Sequence, residues 1–247
     1  MEIAARFEHK YLLTIAQRDD LLASFAGQLL PDTGGGLSGR YPVVSLYCDS
    51  PDQKCRWEAW RGVPSRRKLR MRIYGTKDGA IAPAIFLEIK HKDGNEGAKR
   101  RAQLSASDAW AAVNGQHLSL PDAGEARVLA EVRQLVAAEA FAPVCVIRYD
   151  RHAYRFIDAH DIELLRITFD HGIRARFDQL TPTPEDDNCP LTVLTDNLCL
   201  MEVKGSTAVP YAFAAHLSAR GLYPRPFSKY SECMRLHGAT PALSCLS

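Results

Sequence analysis

The feature of this sequence that most constrains its fold is an alternation that returns in several short segments, with a charged side chain at every second position and an apolar one between. Lys68, Arg70 and Arg72 alternate with Leu69, Met71 and Ile73; Glu88, Lys90 and Lys92 alternate with Leu87, Ile89 and His91. Arg6, Glu8 and Lys10 oppose Phe7, His9 and Tyr11; Arg166, Thr168 and Asp170 oppose Ile167 and Phe169; Glu202 and Lys204 oppose Met201 and Val203. Successive side chains of a β-strand point to opposite faces, so each segment is a strand with one charged and one apolar face. A sheet with one solvated face alternates in the same way. Solvated faces, however, mix signs and use Ser, Thr and Gln, whereas these are biased to Arg and Lys and carry one Glu at most.

The remaining pattern fits around these strands. Residues 5–14 read as a strand and Gln17 to Leu30 as a helix through Leu21, Leu22, Phe25 and Leu29. Pro31 to Gly39 is a loop; its Gly34-Gly35-Gly36 triplet lacks the Lys-Ser/Thr of a phosphate loop. Val43 to Cys48 and Trp57 to Arg61 are short strands, and Lys68 to Tyr74 and Ile85 to Lys92 form a hairpin around Lys77-Asp78-Gly79. Helices are expected from Ser105 through Val113 and over Glu125 to Ala140. Strands return at Pro143 to Arg155, Glu163 to Asp170 and Leu198 to Lys204, and Tyr211 to Arg220 is a last helix ended by Gly221. The expected class is mainly β (α+β), a closed eight-stranded antiparallel β-barrel with peripheral helices, in one domain over 1–247.

Composition narrows the setting. No run approaches the roughly 20 apolar residues of a membrane span, and Met1-Glu2-Ile3 leads into a strand without a signal-peptide pattern, so the expected location is cytoplasmic. The seven cysteines are scattered, without CxxC spacing, which favours reduced thiols over disulfides or zinc. The basic residues lie at alternate strand positions and not in an exposed run with interleaved aromatics, which argues against nucleic acid as a partner. His9, His91 and His237 read as structural, and Trp57, Trp60 and Trp110 as core or cover of the barrel exterior.

If the strands close with their apolar faces outward under helices, the charged faces point into the lumen. At an effective dielectric of about 20, two like charges about 4 Å apart repel by roughly 4 kcal/mol, so such a lumen calls for a polyanion. Phosphate chains suit it, because the guanidinium fork donates two hydrogen bonds to one phosphate. The interspersed Glu8, Glu88 and Glu202 would repel phosphate alone but are ligands of the type taken by a hard divalent cation bridging protein and phosphate.

In order along the chain stand Arg6-x-Glu8-x-Lys10-Tyr11, Lys68-Leu-Arg70-Met-Arg72-Ile-Tyr74-Gly75, Glu88-Ile-Lys90, Tyr149-x-Arg151-x-Ala153-Tyr154, Leu165-Arg166-Ile167-Thr168-Phe169-Asp170, Met201-Glu202-Val203-Lys204 and Phe227-Ser228-Lys229-Tyr230. This order resembles that of VTC domains in the triphosphate tunnel metalloenzyme superfamily. The resemblance spans nearly the whole chain and implies an eight-stranded tunnel. It places Lys10, Arg70, Arg72, Lys90, Arg151, Arg166 and Lys229 on the phosphates, with Ser228 beside Lys229, and Glu202 on a Mn²⁺ or Mg²⁺ ion. Arg6, Lys68, Lys92 and Lys204 belong to the same charged faces, and the Lys99-Arg100-Arg101 cluster offers a further contact, Lys99 and Arg101 being the expected ones.

Other tunnel enzymes begin Glu-x-Glu-x-Lys; Arg6 replaces the first Glu, which favours the polymerase-like branch and removes one metal ligand. Known VTC domains pass the terminal phosphate of ATP onto a polyphosphate chain, so the resemblance implies a metal-dependent, ATP-using polyphosphate polymerase, here as a free-standing catalytic domain. A triphosphatase using the same site and a non-catalytic polyphosphate-binding module are the alternatives. The oligomeric state is not written in these motifs.

Overall fold

The computed structural model describes residues 7–32, 38–75, 84–94, 96–118, 122–184 and 186–238. Arg6, the Gly34–Gly36 triplet and the Lys77–Gly79 turn lie outside the described residues. The elements run β1 (Phe7–Thr14), α1 (Ile15–Ser24), β2 (Leu29–Pro31), β3 (Arg40–Asp49), α2 (Lys54–Trp60), β4 (Arg66–Tyr74), β5 (Ala84–Asp93) and β6 (Glu96–Gln103). They continue with α3 (Ala106–Val113), α4 (Ala123–Glu139), β7 (Ala142–Ile157), β8 (Glu163–Arg176), β9 (Leu191–Thr192), β10 (Leu198–Gly205), α5 (Tyr211–Ala219) and α6 (Lys229–Leu236).

All strands belong to one antiparallel sheet with the order β1-β10-β8-β7-β3-β4-β5-β6, with β2 added to β7 and β9 to β8. The sheet is a curled half-barrel and not the closed barrel expected from the strand count: β1 and β6, the two ends of the order, do not pair among the described residues. The reason lies in the segment before α6. The Arg225 amide donates to the Lys10 carbonyl at 2.8 Å, so the free edge of β1 is already taken. The same segment offers the Phe227 carbonyl to Lys10 Nζ at 2.9 Å. Side chains then bridge the seam, with Lys90 Nζ of β5 3.4 Å from Glu8 of β1.

The apolar faces pack on the convex side, as the alternation requires. Leu69, Met71, Ile73, Leu87 and Ile89 are buried against Ala109, Ala112 and Val113 of α3 and Val128, Val132 and Leu135 of α4. Tyr11, Leu13, Ile167, Phe169, Met201 and Val203 form a second core with Leu21 of α1 and Phe213 and Leu217 of α5. The helices begin where side chains satisfy their free amides: Thr14 and Gln17 form a capping box, and Ser105, Asp122 and Ser228 cap α3, α4 and α6.

Three expected elements change. The helix expected over Gln17 to Leu30 ends at Ser24, and Leu29–Pro31 is instead β2, paired with β7. Trp57 to Arg61, read as a strand, lies mostly in α2, whose start is fixed by Asp49 Oδ1 accepting from the Cys55 amide at 2.9 Å. Trp57 and Trp60 meet edge to face with ring centroids 5.4 Å apart, and Trp60 is 76% exposed, so it is not barrel cover. The helix at Tyr211 is also not the last. Helix α6 follows it and lies against the concave side, where Tyr230 stacks on Tyr47 with centroids 5.3 Å apart and donates to Asp49 at 2.5 Å. The six described cysteines, Cys48, Cys55, Cys145, Cys189, Cys199 and Cys233, are free and buried.

A candidate phosphate-binding groove on the concave face

Strand register determines which charges share the concave face. Glu8 stands opposite Lys204, Lys10 opposite Glu202, Lys204 opposite Arg166 and Glu202 opposite Thr168. Across β7, Arg151 faces Asp170 and Arg155 faces Arg166. On the other side Lys68, Lys90 and Lys99 form one lateral row, and Arg70, Glu88 and Arg101 the next. Lys92 stands opposite Arg66 on the same face. Register thus divides the basic cluster of β6: Lys99 and Arg101 turn inward, while Arg100 turns outward to Glu131 of α4, with contacts of 2.8 and 2.9 Å.

The wall formed by β1, β10, β8 and β7 is held by two buried carboxylates. Asp170 accepts two hydrogen bonds from Arg151, at 2.7 and 2.8 Å, and lies 2.6 Å from Lys229 Nζ. Glu202 is 3.3 Å from Lys204, 3.4 Å from Lys229, 3.8 Å from Arg151 and 4.0 Å from Lys10. Burial by itself would raise both carboxyl pKa values. Arg151 and Lys229 overcome it at Asp170, while Lys229, Lys204, Lys10 and Arg151 hold Glu202 well below the usual range. Lys229 Nζ also lies 4.7 Å from the Tyr149 ring centroid, and Arg151 5.4 Å from it. Lys229 reaches this place because it opens α6, which Ser228 caps.

The opposite wall is compensated less fully. Glu88 accepts from Arg70 Nε at 2.8 Å and lies 3.9 Å from Arg72 and from Lys99. Burial would raise the Glu88 carboxyl, but Arg70, Arg72 and Lys99 hold it at about 2. Arg72 Nε donates to Ser45 at 3.0 Å, and Arg101 lies 4.5 Å from the Phe86 ring centroid. Lys68 Nζ donates to Ser228 Oγ at 3.1 Å. Burial pushes the Lys68 ammonium pKa down, and the charges of Lys10 and Lys90 push it the same way. The Tyr47 phenol is lowered against its own burial by Arg70, Arg72 and Lys229. These shifts report an excess of positive potential on the concave face.

Several buried polar atoms on this face have no hydrogen-bond partner among the described residues: the donors Tyr149 Oη, Thr168 Oγ1, Arg155 Nε and Arg166 Nε, and one acceptor, Glu88 Oε1, beside Arg72 and Lys99. Four of the five can donate. Buried donors are costly to leave unsatisfied, so this set points to a ligand rich in acceptor oxygens.

A family model, the VTC domain, matches residues 5–237. The chain belongs to the VTC domain family. Comparison with curated proteins gave no match. Membership places this VTC domain among proteins of polyphosphate-related function and is consistent with phosphotransferase chemistry. None of its described helices is long and apolar enough to cross a membrane.

The three carboxylates expected to hold a metal are not gathered together. Glu88 lies among Arg70, Arg72 and Lys99, whereas Glu8 and Glu202 on paired strands share Lys10 and Lys204 as neighbours. No three His, Cys, Asp or Glu side chains cluster as a metal site among the described residues. Mg²⁺, however, is commonly held by one or two carboxylates with phosphate oxygens completing the shell, and the Glu8 and Glu202 carboxylates fit that pattern. Residues that motif reasoning left unassigned also line the groove. Asp170 and Arg155 were legible by alternation from Arg166 and Arg151, while Tyr47 and Tyr149 carried no charge to mark them.

Proposed function

We propose that this VTC domain holds ATP and an inorganic polyphosphate chain on its concave face and transfers the γ-phosphoryl group of ATP to the chain end. The observation that carries this reading is the row of Lys68, Lys90 and Lys99, directly opposite one another on paired strands, facing a groove with unsatisfied buried donors. Like charges in such positions destabilise a sheet. A phosphate chain offsets that repulsion and supplies acceptors to Tyr149, Thr168 and Arg166.

The chemistry asks for positioning and charge neutralisation more than for a strong base, because the attacking phosphate oxygen is already anionic. That oxygen forms a bond to the γ-phosphorus as the bond to the β,γ-bridging oxygen breaks, and ADP leaves. Lys10, Arg151 and Lys229 surround Glu202 where the transferring group would gain charge, and Asp170 keeps Arg151 and Lys229 oriented. Arg70, Arg72, Lys90 and Lys99 hold the remaining phosphates from the opposite wall. Mn²⁺ or Mg²⁺ at Glu8 and Glu202 would neutralise phosphate oxygens.

The test is to incubate the protein with ATP and Mn²⁺ and resolve the products. Long-chain polyphosphate with ADP is expected; ADP with orthophosphate and no chain would replace polymerisation by hydrolysis. Tripolyphosphate at 100 times its Kd is expected to add about 2.7 kcal/mol of stability, a rise in Tm of roughly 5–10 °C. Glu202→Gln is expected to lose turnover and keep that rise. A wild-type protein that binds but never turns over would make it a binding module.

A further inference from the structure

Helix α6 carries Lys229 to the buried carboxylates, and it is eight residues long. A helix that short has little stability of its own, so its position is set by what it touches. Its Cys233 and Met234 are buried. Apolar contacts hold a helix down but are non-directional, and they leave its roll about its own axis loosely fixed. Tyr230 supplies the direction. Its hydroxyl donates to Asp49 Oδ2 at 2.5 Å while its ring stacks on Tyr47 with 20° between the planes.

Asp49 is itself held still. It is 1% exposed, and its other oxygen, Oδ1, accepts from the Ser50 amide and from the Cys55 amide, each at 2.9 Å. Those two bonds orient the carboxylate at the end of β3 and aim Oδ2 at the phenol. Burial and the Asp49 charge push the Tyr230 phenol far above its ordinary value, so it keeps its proton and acts as the donor. Successive helical side chains project about 100° apart. With Tyr230 pinned toward β3, Lys229 turns toward β8 and β10, where its Nζ lies 2.6 Å from Asp170 and 3.4 Å from Glu202.

Resting on the reading of the groove as a phosphate site, we propose that Asp49 and Tyr230 are positioning residues for Lys229. The bond between them sets the roll of α6 and so holds the Lys229 ammonium at Asp170 and Glu202, where it meets the phosphate. Both act through Lys229 and not by touching the ligand.

Tyr230→Phe keeps the stacked ring and removes the hydroxyl. Tripolyphosphate affinity is measured by titration for wild type, Tyr230→Phe, Lys229→Gln and the double variant, with urea denaturation to show that each is folded. Tyr230→Phe is expected to weaken tripolyphosphate about tenfold where Lys229 is present and by less than about twofold where it is not, a coupling of the size found between neighbouring groups. A merely structural tyrosine would weaken binding equally in both backgrounds or in neither; either result overturns the proposal. Asp49→Asn keeps a hydrogen-bonding partner for the phenol and for the Cys55 amide, and is expected to bind more tightly than Asp49→Ala. Equal affinities of those two would overturn the role of Asp49. A further readout needs no ligand: the rate at which acetic anhydride acylates Lys229 in the free protein, followed by mass spectrometry. The rate is expected to rise severalfold in Tyr230→Phe as the ammonium leaves Asp170 and Glu202, and an unchanged rate overturns the proposal. If wild type does not bind tripolyphosphate, the phosphate reading of the groove falls, and the acylation rate still decides whether Tyr230 positions Lys229.

Discussion

The two walls of the groove carry the same kinds of residue but balance their charges differently. On the β7, β8 and β10 side, Asp170 and Glu202 are almost fully buried, at 0% and 7% exposure, and their partners Arg151 and Lys229 are each 8% exposed. On the β4, β5 and β6 side one buried carboxylate, Glu88, faces Arg70, Arg72 and Lys99, while the side chains of Lys90 and Lys99 are 45% and 33% exposed. The first wall is a solved electrostatic problem whose members fix one another; the second is left with charge to give to a ligand. A groove of this kind needs both, since cations held only by ligand would scatter without it, and cations held only by protein would bind nothing.

The largest effect should come from breaking the balanced wall. Asp170→Ala leaves Arg151 and Lys229 buried together, and truncating one partner of a buried ion pair costs about 3–5 kcal/mol. Urea denaturation should show that loss; a cost under about 1 kcal/mol would mean that Arg151 and Lys229 do not depend on Asp170, and the contrast between the walls would collapse.

Acid should strain the other wall next. The Glu88 carboxyl is held at about 2 in the folded chain against an ordinary value of 4.5. A depressed folded pKa adds stability that is fully present above about pH 4.5 and is lost as pH falls toward 2, here on the order of 3 kcal/mol. The difference in stability between wild type and Glu88→Gln should therefore shrink across that window and be flat above it. A difference that stayed constant from pH 6 to about pH 2 would show that the Glu88 charge is not what stabilises Arg70 and Arg72.

How much of this was legible follows from which signals are local. Alternation alone brings Lys68, Arg70 and Arg72 to one face and Leu69, Met71 and Ile73 to the other, because the period of a strand is two. It cannot say whether the end strands meet. That depended on Arg225 reaching the Lys10 carbonyl across a separation of more than two hundred residues, which no window of sequence displays. Strand β6 was hidden for a different reason: Ala98 and Ala102 are its outward apolar residues, too small to stand out between Lys99, Arg100 and Arg101. Helix α6 is short and polar at its start, so Lys229 was recognisable by motif before its helix was recognisable by pattern.

A smaller effect should separate affinity from stability on the second wall. Lys68→Ala removes a cation whose charge is opposed by burial and by Lys10 and Lys90. Thermal stability should hold or rise slightly, whereas tripolyphosphate should bind about tenfold more weakly, the loss of one charged contact. A fall in Tm with unchanged affinity would reverse the assignment and place Lys68 in the framework.

The smallest effect tests register itself. Arg100 lies between Lys99 and Arg101 but turns outward, 46% exposed, onto Glu131, in a network with Arg67 and Glu139 that lines a cavity of about 480 Å³ on the convex side. An exposed ion pair of this kind contributes at most about 1 kcal/mol. Arg100→Ala should cost no more than that and leave tripolyphosphate affinity unchanged, while Lys99→Ala should weaken the ligand and leave Tm nearly where it was. Side chains alternate at every residue, so a slip of one position along β5 would exchange the two results. If Arg100→Ala weakened the ligand and Lys99→Ala did not, Arg100 would stand in the groove, and the row of Lys68, Lys90 and Lys99 that supports phosphate binding would be broken at its outer strand.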